Sequence, residues 1–321
     1  MEGEMISIGT RKSRLAMWQT ESVAEALAAA GMETRITAME TVGDRVLDTS
    51  IAKIGSKGVF TAELEEHLAA GLTDIAVHSA KDMQSQLPPG FALIAFTARE
   101  KSGDVLLATK PDIDIDDPTR PLVVGTSSVR RRAFVQRYYP HVKLVEMRGN
   151  LQTRIRKMEE GHCEALLLAY AGVKRMGYEG MIVKEFDPAR FVPPVGQGCI
   201  AIEAATTLAA DKREAIRRCL NNVESETCLL AERAFLKTLE GGCSIPAFGH
   251  AVLDAGRLTL TAGLASLDGG QLLQMSESAP AGEAEELGHR LGQAILAAGG
   301  AAMLAEIRRQ QATGKDRKSV V

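Results

Sequence analysis

The sequence predicts an α/β protein built from two strand–helix sets, with a smaller α+β unit after them, on three observations. Short aliphatic runs alternate with helix-period segments through the first two-thirds of the chain. A Pro/Asp-rich stretch, Lys110 to Pro121, divides that region, and a second alternating set follows it. The last third changes pattern, giving three strands and then helices. Alternation of this kind implies mostly parallel sheets with crossover helices, and ligands then sit at the carboxyl ends of strands.

Ile6 to Gly9 reads as the first strand. After Ser13, the positions Leu15, Trp18, Val23, Ala26, Leu27 and Ala30 form one helical face. A strand near Arg35 to Val42 follows, then a polar Gly/Lys loop from Ala52 to Gly58. Thr61 is placed to cap the next helix, and Glu63, Glu65 and Glu66 suit its N-terminal dipole. Asp74-Ile75-Ala76-Val77 is a short buried strand running into His78-Ser79-Ala80-Lys81-Asp82. In the second set the strands are Leu122 to Val124, Lys143 to Met147 and Ala165 to Ala169, with helices starting near Ser127 and Asn150. Another strand, Ile200 to Glu203, comes after Pro193-Pro194-Val195-Gly196-Gln197-Gly198. Cys228, Ala231, Phe235 and Leu239 then fall three and four apart on one helical stripe. Strands near 248–254, 257–265 and 271–277 precede helices from about 281 to 309, and the polar tail from Gln310 is expected to be disordered. No internal sequence repeat is visible.

Composition removes several classes of function. A chain of 321 residues is too long for one ordinary domain. Aromatics at 4% and a formal net charge of −3 argue against nucleic acid as a partner. Cys163, Cys199, Cys219, Cys228 and Cys243 lie far apart with no CxxC pair, so neither a disulfide framework nor a zinc site is encoded. The acidic N-terminus does not read as a signal peptide, and no apolar run approaches membrane-spanning length. A cytoplasmic monomer without a membrane partner is the expectation, and no metal or nucleotide motif is visible.

Three groups of residues point to chemistry. Cys243 follows Gly241 and Gly242 directly after the helical stripe, with Gly241 suited to the left-handed residue that ends a helix and Pro246 unable to restart one. A thiol on such a loop can react, whereas a thiol on a helix stripe packs. Gly125-Thr126-Ser127-Ser128-Val129-Arg130-Arg131-Arg132 joins a strand to a helix, which offers hydroxyls, free N–H groups and the helix dipole to an anion, with guanidiniums one turn in. Arg148 follows the next strand, Arg154 and Arg156 lie further along its helix, and Arg175 ends a later turn. The other lobe repeats the theme with Arg11 and Ser13 after the first strand and with Lys53 and Lys57 in the glycine loop. Asp82, a carboxylate among cations beside Lys81, is expected to stay ionised, where it can stabilise a developing cation or exchange a proton with a leaving amine.

Taken together, these segments resemble the porphobilinogen deaminase (hydroxymethylbilane synthase) family over about residues 5 to 310. The resemblance rests on Thr10 to Ala16, Lys53 to Gly58, His78 to Asp82, Gly125 to Arg131, Arg148-Gly149-Asn150, Thr153-Arg154, Pro194 to Gly198 and Glu240 to Cys243, in that order. It implies two doubly wound lobes like bilobal periplasmic-binding proteins plus a C-terminal α+β domain. The bounds it implies are 1–98 with 199–218, then 99–198, then 219–310, with 311–321 a disordered tail. It implies a transferase that deaminates four porphobilinogen units and joins them head-to-tail into hydroxymethylbilane. A dipyrromethane cofactor would be held as a thioether on Cys243, and Asp82 would be the catalytic carboxylate. Cofactor contacts are expected from Ser79, Lys81, Thr126, Ser127, Ser128, Arg130, Arg131 and Arg148. Substrate contacts are expected from Arg11, Ser13, Lys53, Lys57, Phe60, Arg154, Arg175 and Gln197.

This sequence departs from the family pattern after Asp82, where Met83-Gln84 stands in place of an apolar residue and proline, and a looser turn is expected there. Two other readings stand beside the resemblance. A non-catalytic bilobal anion binder leaves Cys243 and the third unit idle, and a nucleic-acid binder conflicts with charge and composition.

Overall fold

The computed structural model describes residues 5–41, 61–242 and 244–316. Ile6–Arg11 (β1), Thr34–Met39 (β2), Ile75–Ser79 (β3) and Phe91–Phe96 (β4) belong to the first lobe. The second lobe holds Asp104–Ala108 (β5), Val123–Gly125 (β6), Lys143–Val145 (β7), Ala165–Ala169 (β8) and Ile182–Glu185 (β9). The chain then returns through Ile200–Ala205 (β10). One sheet has the order β2-β1-β3-β10-β4 and the other β7-β6-β8-β5-β9. In both, the first three strands in that order are parallel and the next runs antiparallel to both of its neighbours.

The two lobes therefore share one topology that the sequence does not display as a repeat. In each sheet the reversed fourth strand is the one that has just crossed from the other lobe: β5 follows β4, and β10 follows β9. That crossing is why the sheets are less parallel than the alternation predicts. Two segments, 97–103 and 186–199, join the lobes.

Helices cover the sheets as the apolar spacing requires. Arg14–Ala29 (α1) is capped by Ser13, whose hydroxyl accepts from the Ala16 N–H at 3.3 Å. Ala62–Ala69 (α2) has no side-chain cap: Thr61 instead accepts from Gln84 Nε2 at 3.5 Å. Val129–Tyr138 (α3) and Leu151–Glu159 (α4) are capped by Ser128 and Asn150. Tyr170–Arg175 (α5) and Ala210–Leu220 (α6) complete the lobes.

In the third unit, Ala247–Asp254 (β11), Arg257–Ala265 (β12) and Leu272–Pro280 (β13) form an antiparallel meander. Val223–Thr238 (α7) and Ala284–Ile295 (α8) pack on it. The stripe Cys228, Ala231, Phe235 and Leu239 lies in that core with Leu258, Leu260, Leu287 and Leu291. The final helix, Ala301–Asp316 (α9), carries order into the stretch expected to be disordered as far as Asp316, residues 317–321 lying outside the described residues, and Gln311 donates from Nε2 to the Ser244 carbonyl. No helix among the described residues is long and apolar enough to cross a membrane.

The end of α7 corrects the expectation for Gly241. The Gly241 N–H bonds Leu236 O at 3.0 Å and the Glu240 N–H bonds Lys237 O at 2.9 Å, a Schellman closure whose left-handed residue is Glu240, at φ 48°. Gly241 sits close under its neighbours: a Cβ there would stand 2.7 Å from Leu236 Cδ1 and 2.9 Å from Ile245 Cδ1, so those two side-chain ends would have to shift. A non-glycine residue in this conformation costs about 1 kcal/mol. Glu240→Gly is therefore expected to raise the urea unfolding free energy by about 0.5–1 kcal/mol. An unchanged or lower value contradicts the assignment of strain to Glu240.

Candidate active site

The carboxyl ends of the parallel strands deliver the polar groups. Arg11 is the last residue of β1, Ser13 caps α1, and Ser79 ends β3 before a short 3-10 turn, Ala80–Asp82. Arg11, Ser13, Gln19, His78, Ser79 and Asp82 are among the residues lining one small cavity of about 60 Å³. Gln19 fixes Ser79, donating from Nε2 to its Oγ at 2.9 Å. In the facing lobe the Thr126 N–H bonds Val145 O at 3.0 Å, and Thr126 Oγ1 accepts from the Ser128 N–H at 3.3 Å. This tight turn sets Ser128 at the N-cap of α3, where its hydroxyl accepts from the Arg131 N–H at 3.4 Å, so the helix N-terminus, a favourable place for an anion, lies directly after β6. Arg148 donates from Nε to Glu146 at 2.5 Å, and Arg154 from Nε to the Gly149 carbonyl at 2.7 Å.

Beneath these turns lies Asp104, which is fully buried. Arg130 reaches its Oδ2 at 2.5 Å, and Arg131 reaches its Oδ1 at 3.0 Å from Nε and 2.7 Å from an Nη. Gln197 donates to the same Oδ1 at 3.0 Å. Burial alone would raise the Asp104 pKa, but the two guanidiniums override it and hold the carboxyl down at about 2. Lys81 is pushed down to about 8, chiefly by burial, with Arg131 and Arg130 adding to the effect and Asp82 and Asp104 opposing it. Arg154 is lowered to about 10, again chiefly by burial, with Arg131 and Arg148 repelling it and Asp82 countering. Asp82 thus acts on a cation of its own lobe and on one from the lobe opposite.

Several expected site residues occupy other roles. Arg130 is 3% exposed, held on Asp104 and the Val192 carbonyl with its guanidinium beside Phe134 and Phe191, so it supports the wall and presents no open fork. Arg131 is likewise committed to Asp104, Leu167 O and Gln197. Gln197, expected to touch substrate, is 1% exposed and fully engaged within the crossing. Arg175 lines a separate cavity of about 650 Å³ with Trp18, Thr97 and Glu100, and donates to Gly198 O at 2.7 Å. Lys53, Lys57, Phe60 and Cys243 lie outside the described residues. The turn after Asp82 is pinned despite its missing proline: Met83 is buried and Arg233 donates to Gln84 O at 2.8 Å. Sequence reasoning missed Asp104 and Gln19. An aspartate opening the otherwise aliphatic strand Asp-Val-Leu-Leu-Ala was the available signal for the first.

Since the folded-state pKa of Asp104 lies near 2, below its ordinary 3.8, its contribution is complete above pH 4 and is lost as pH falls from 4 through 2. The linked stabilisation is about 2 kcal/mol. Asp104→Asn is expected to cost about 3–5 kcal/mol at pH 7, by leaving two buried guanidiniums without their anion, and to flatten the acid limb of stability. Urea unfolding between pH 7 and pH 2.5 checks both, and equal stability of parent and variant at pH 7 contradicts the assignment.

Comparison with known proteins matches the sequence to a family. Residues 6–213 match the model described as porphobilinogen deaminase, dipyromethane cofactor binding domain, and residues 226–297 match the porphobilinogen deaminase C-terminal domain. Porphobilinogen deaminase of Desulfosudis oleivorans is 59% identical over 308 residues, covering 96% of this chain and 99% of that protein. The enzyme of the same name from Cytophaga hutchinsonii is 52% identical, covering 95% of this chain and 97% of that one. Among solved structures, the methionine-binding protein MetQ overlays with a TM-score of 0.42 at 10% identity, over 67% of this chain and 89% of that one. On the family models and the near-full-length relatives, the chain belongs to the porphobilinogen deaminase family.

Proposed function

We propose that the cleft between the two five-stranded sheets is where this chain deaminates porphobilinogen and joins four units head-to-tail into linear hydroxymethylbilane. Asp82 is assigned as the catalytic carboxylate and Cys243 as the attachment point of the family's dipyrromethane cofactor. The carrying observation is that Asp82 lines one cavity with Arg11, Ser13 and Ser79 at the carboxyl ends of β1 and β3, in a protein whose other lobe carries Arg148 and Arg154 at its own strand ends.

The donor set fits the cofactor. Each of its pyrroles carries an acetate and a propionate, and the facing turns supply Lys81, Arg148, the Ser127 and Ser128 hydroxyls and the first amides of α3, whereas Thr126, 1% exposed, shapes the turn from within by accepting from the Ser128 N–H. When bound, the dipyrromethane supplies a pyrrole with a free α-carbon as the acceptor. Arg11, Ser13 and Arg154 hold the carboxylates of the incoming substrate. Loss of ammonia from the aminomethyl group leaves a cation conjugated with the pyrrole nitrogen. Asp82, fixed at the end of β3 beside its cavity, stabilises that cation and takes up the proton released on coupling. Arg130 and Arg131 act at one remove, adding positive potential from beneath while anchored on Asp104. Holding substrate against a tethered acceptor makes each coupling effectively unimolecular. All the proposed groups come from one chain, which suits a monomer, and a reactive thiol at Cys243 suits a reducing, cytoplasmic setting.

Intact mass and turnover together test this reading. The parent protein, purified under reducing conditions and exposed to porphobilinogen, is expected to carry an adduct of two linked pyrrole units that Cys243→Ser lacks. Asp82→Asn is expected to lose at least about 100-fold in turnover. Retention of adduct and activity by Cys243→Ser would falsify the attachment, and parent-like turnover by Asp82→Asn would remove the catalytic assignment. Ligand affinity without turnover in the parent leaves the bilobal binder.

A further inference from the structure

Gln197 sits between the two lobes with every polar atom of its side chain in use. Its Nε2 donates to Ser102 O at 2.6 Å and to Asp104 Oδ1 at 3.0 Å, both in the segment entering the second lobe. Its Oε1 accepts from Arg131 at 3.4 Å, on the same side, and from Lys81 Nζ at 3.4 Å, in the first lobe beside Asp82. The amide is the right group for this place. One end must donate to a carboxylate and the other must accept from two cations, and no other neutral side chain of that length does both.

The backbone that carries Gln197 is built to keep it there. Gly196 and Gly198 flank it at φ +77° and +96°, conformations that favour glycine. A Cβ on Gly196 would lie 2.9 Å from the backbone of Lys81, and one on Gly198 would lie 2.3 Å from Glu100 O. The crossing thus presses directly on the turn that bears Lys81 and Asp82. Arg99 adds a bond from Nε to the Gln197 carbonyl at 2.9 Å, and Glu232 accepts from the Gly196 N–H at 2.8 Å.

We propose that Gln197 is a positioning residue of the reaction: it couples the Asp104–Arg131 anchor of one lobe to Lys81 of the other, and so fixes the cation beside the catalytic carboxylate. The proposal rests on the reading of Asp82 given above. It assigns Gln197 no contact with substrate, which separates it from the role expected from sequence.

Gln197→Met keeps length and volume but removes both donor and acceptor, and Gln197→Asn keeps the amide but is one methylene too short to span the gap. Both are neutral, and the second preserves polarity in case the first fails to fold. Steady-state rates of the full chain with porphobilinogen are normalised to the cofactor-loaded fraction read by intact mass. Both variants are expected to lose about 10-fold to 100-fold in kcat while KM stays within about twofold of the parent, as misplacement of the cation beside the catalytic carboxylate requires. A raised KM at unchanged kcat makes Gln197 a substrate contact and overturns the proposal. So does a deficit that vanishes on normalisation, which leaves a structural role alone. Asp82→Asn in the same assay separates the two levels. Parent-like kcat there overturns both readings, whereas a large loss there with parent-like Gln197 variants overturns only this one.

Discussion

Because β5 runs antiparallel to β8, its first residue, Asp104, pairs with Ala169 at the sheet edge where the ligand-facing turns of that lobe converge. A carboxylate buried at that point is costly unless it is fully bonded, and two guanidiniums and an amide bond it. The same contacts fix Arg130 and Arg131, which would otherwise be buried cations in an aliphatic and aromatic wall. Neither sign of charge is stable there without the other, so the cluster holds one arrangement, and the placement of Lys81 follows from it through Gln197.

A second buried carboxylate does for the third unit what Asp104 does for the lobes. Glu232 on α7 accepts from Arg99 at 2.5 Å, from the Gly196 N–H at 2.8 Å and from the Ala251 N–H at 2.8 Å. It therefore ties β11 to both segments that cross between the lobes. Backbone inside a protein must find partners for its N–H groups, and Glu232 supplies one to Gly196 in the crossing segment, where no strand or helix does. The position next to Cys243 is attached to this frame through α7, whose end is closed at Leu236 and Lys237.

The fold was legible in the sequence wherever a period repeated. The strand–helix alternation gave the two lobes, and the stripe at Cys228, Ala231, Phe235 and Leu239 is packed as its spacing requires. Helix starts after Ser13 and near Ser127 and Asn150 were readable for the same reason, since each depends on a few neighbouring residues, and the structure caps those helices with Ser13, Ser128 and Asn150. What could not be read depends on partners far apart in the chain. Asp104 meets Gln197 across 93 positions and Lys81 meets Gln197 across 116, so nothing local marks Gln197 as a bridge. Thr61 makes no cap bond and accepts instead from Gln84, 23 positions on, and the proline-free turn after Asp82 is held by Arg233 from another domain. For the site, residue types at strand ends identified the cation-rich cleft. They did not distinguish arginines that face a ligand from arginines that hold the wall.

That distinction is the centre of the account, and a crystal structure of the dipyrromethane-loaded protein with porphobilinogen or an unreactive analogue tests it most directly. Arg130 and Arg131 are predicted to keep their bonds to Asp104, with Gln197 still joined to Lys81 and ligand carboxylates on Arg11, Ser13, Arg148 and Arg154. Release of both guanidiniums from Asp104 to bind ligand carboxylates would contradict it.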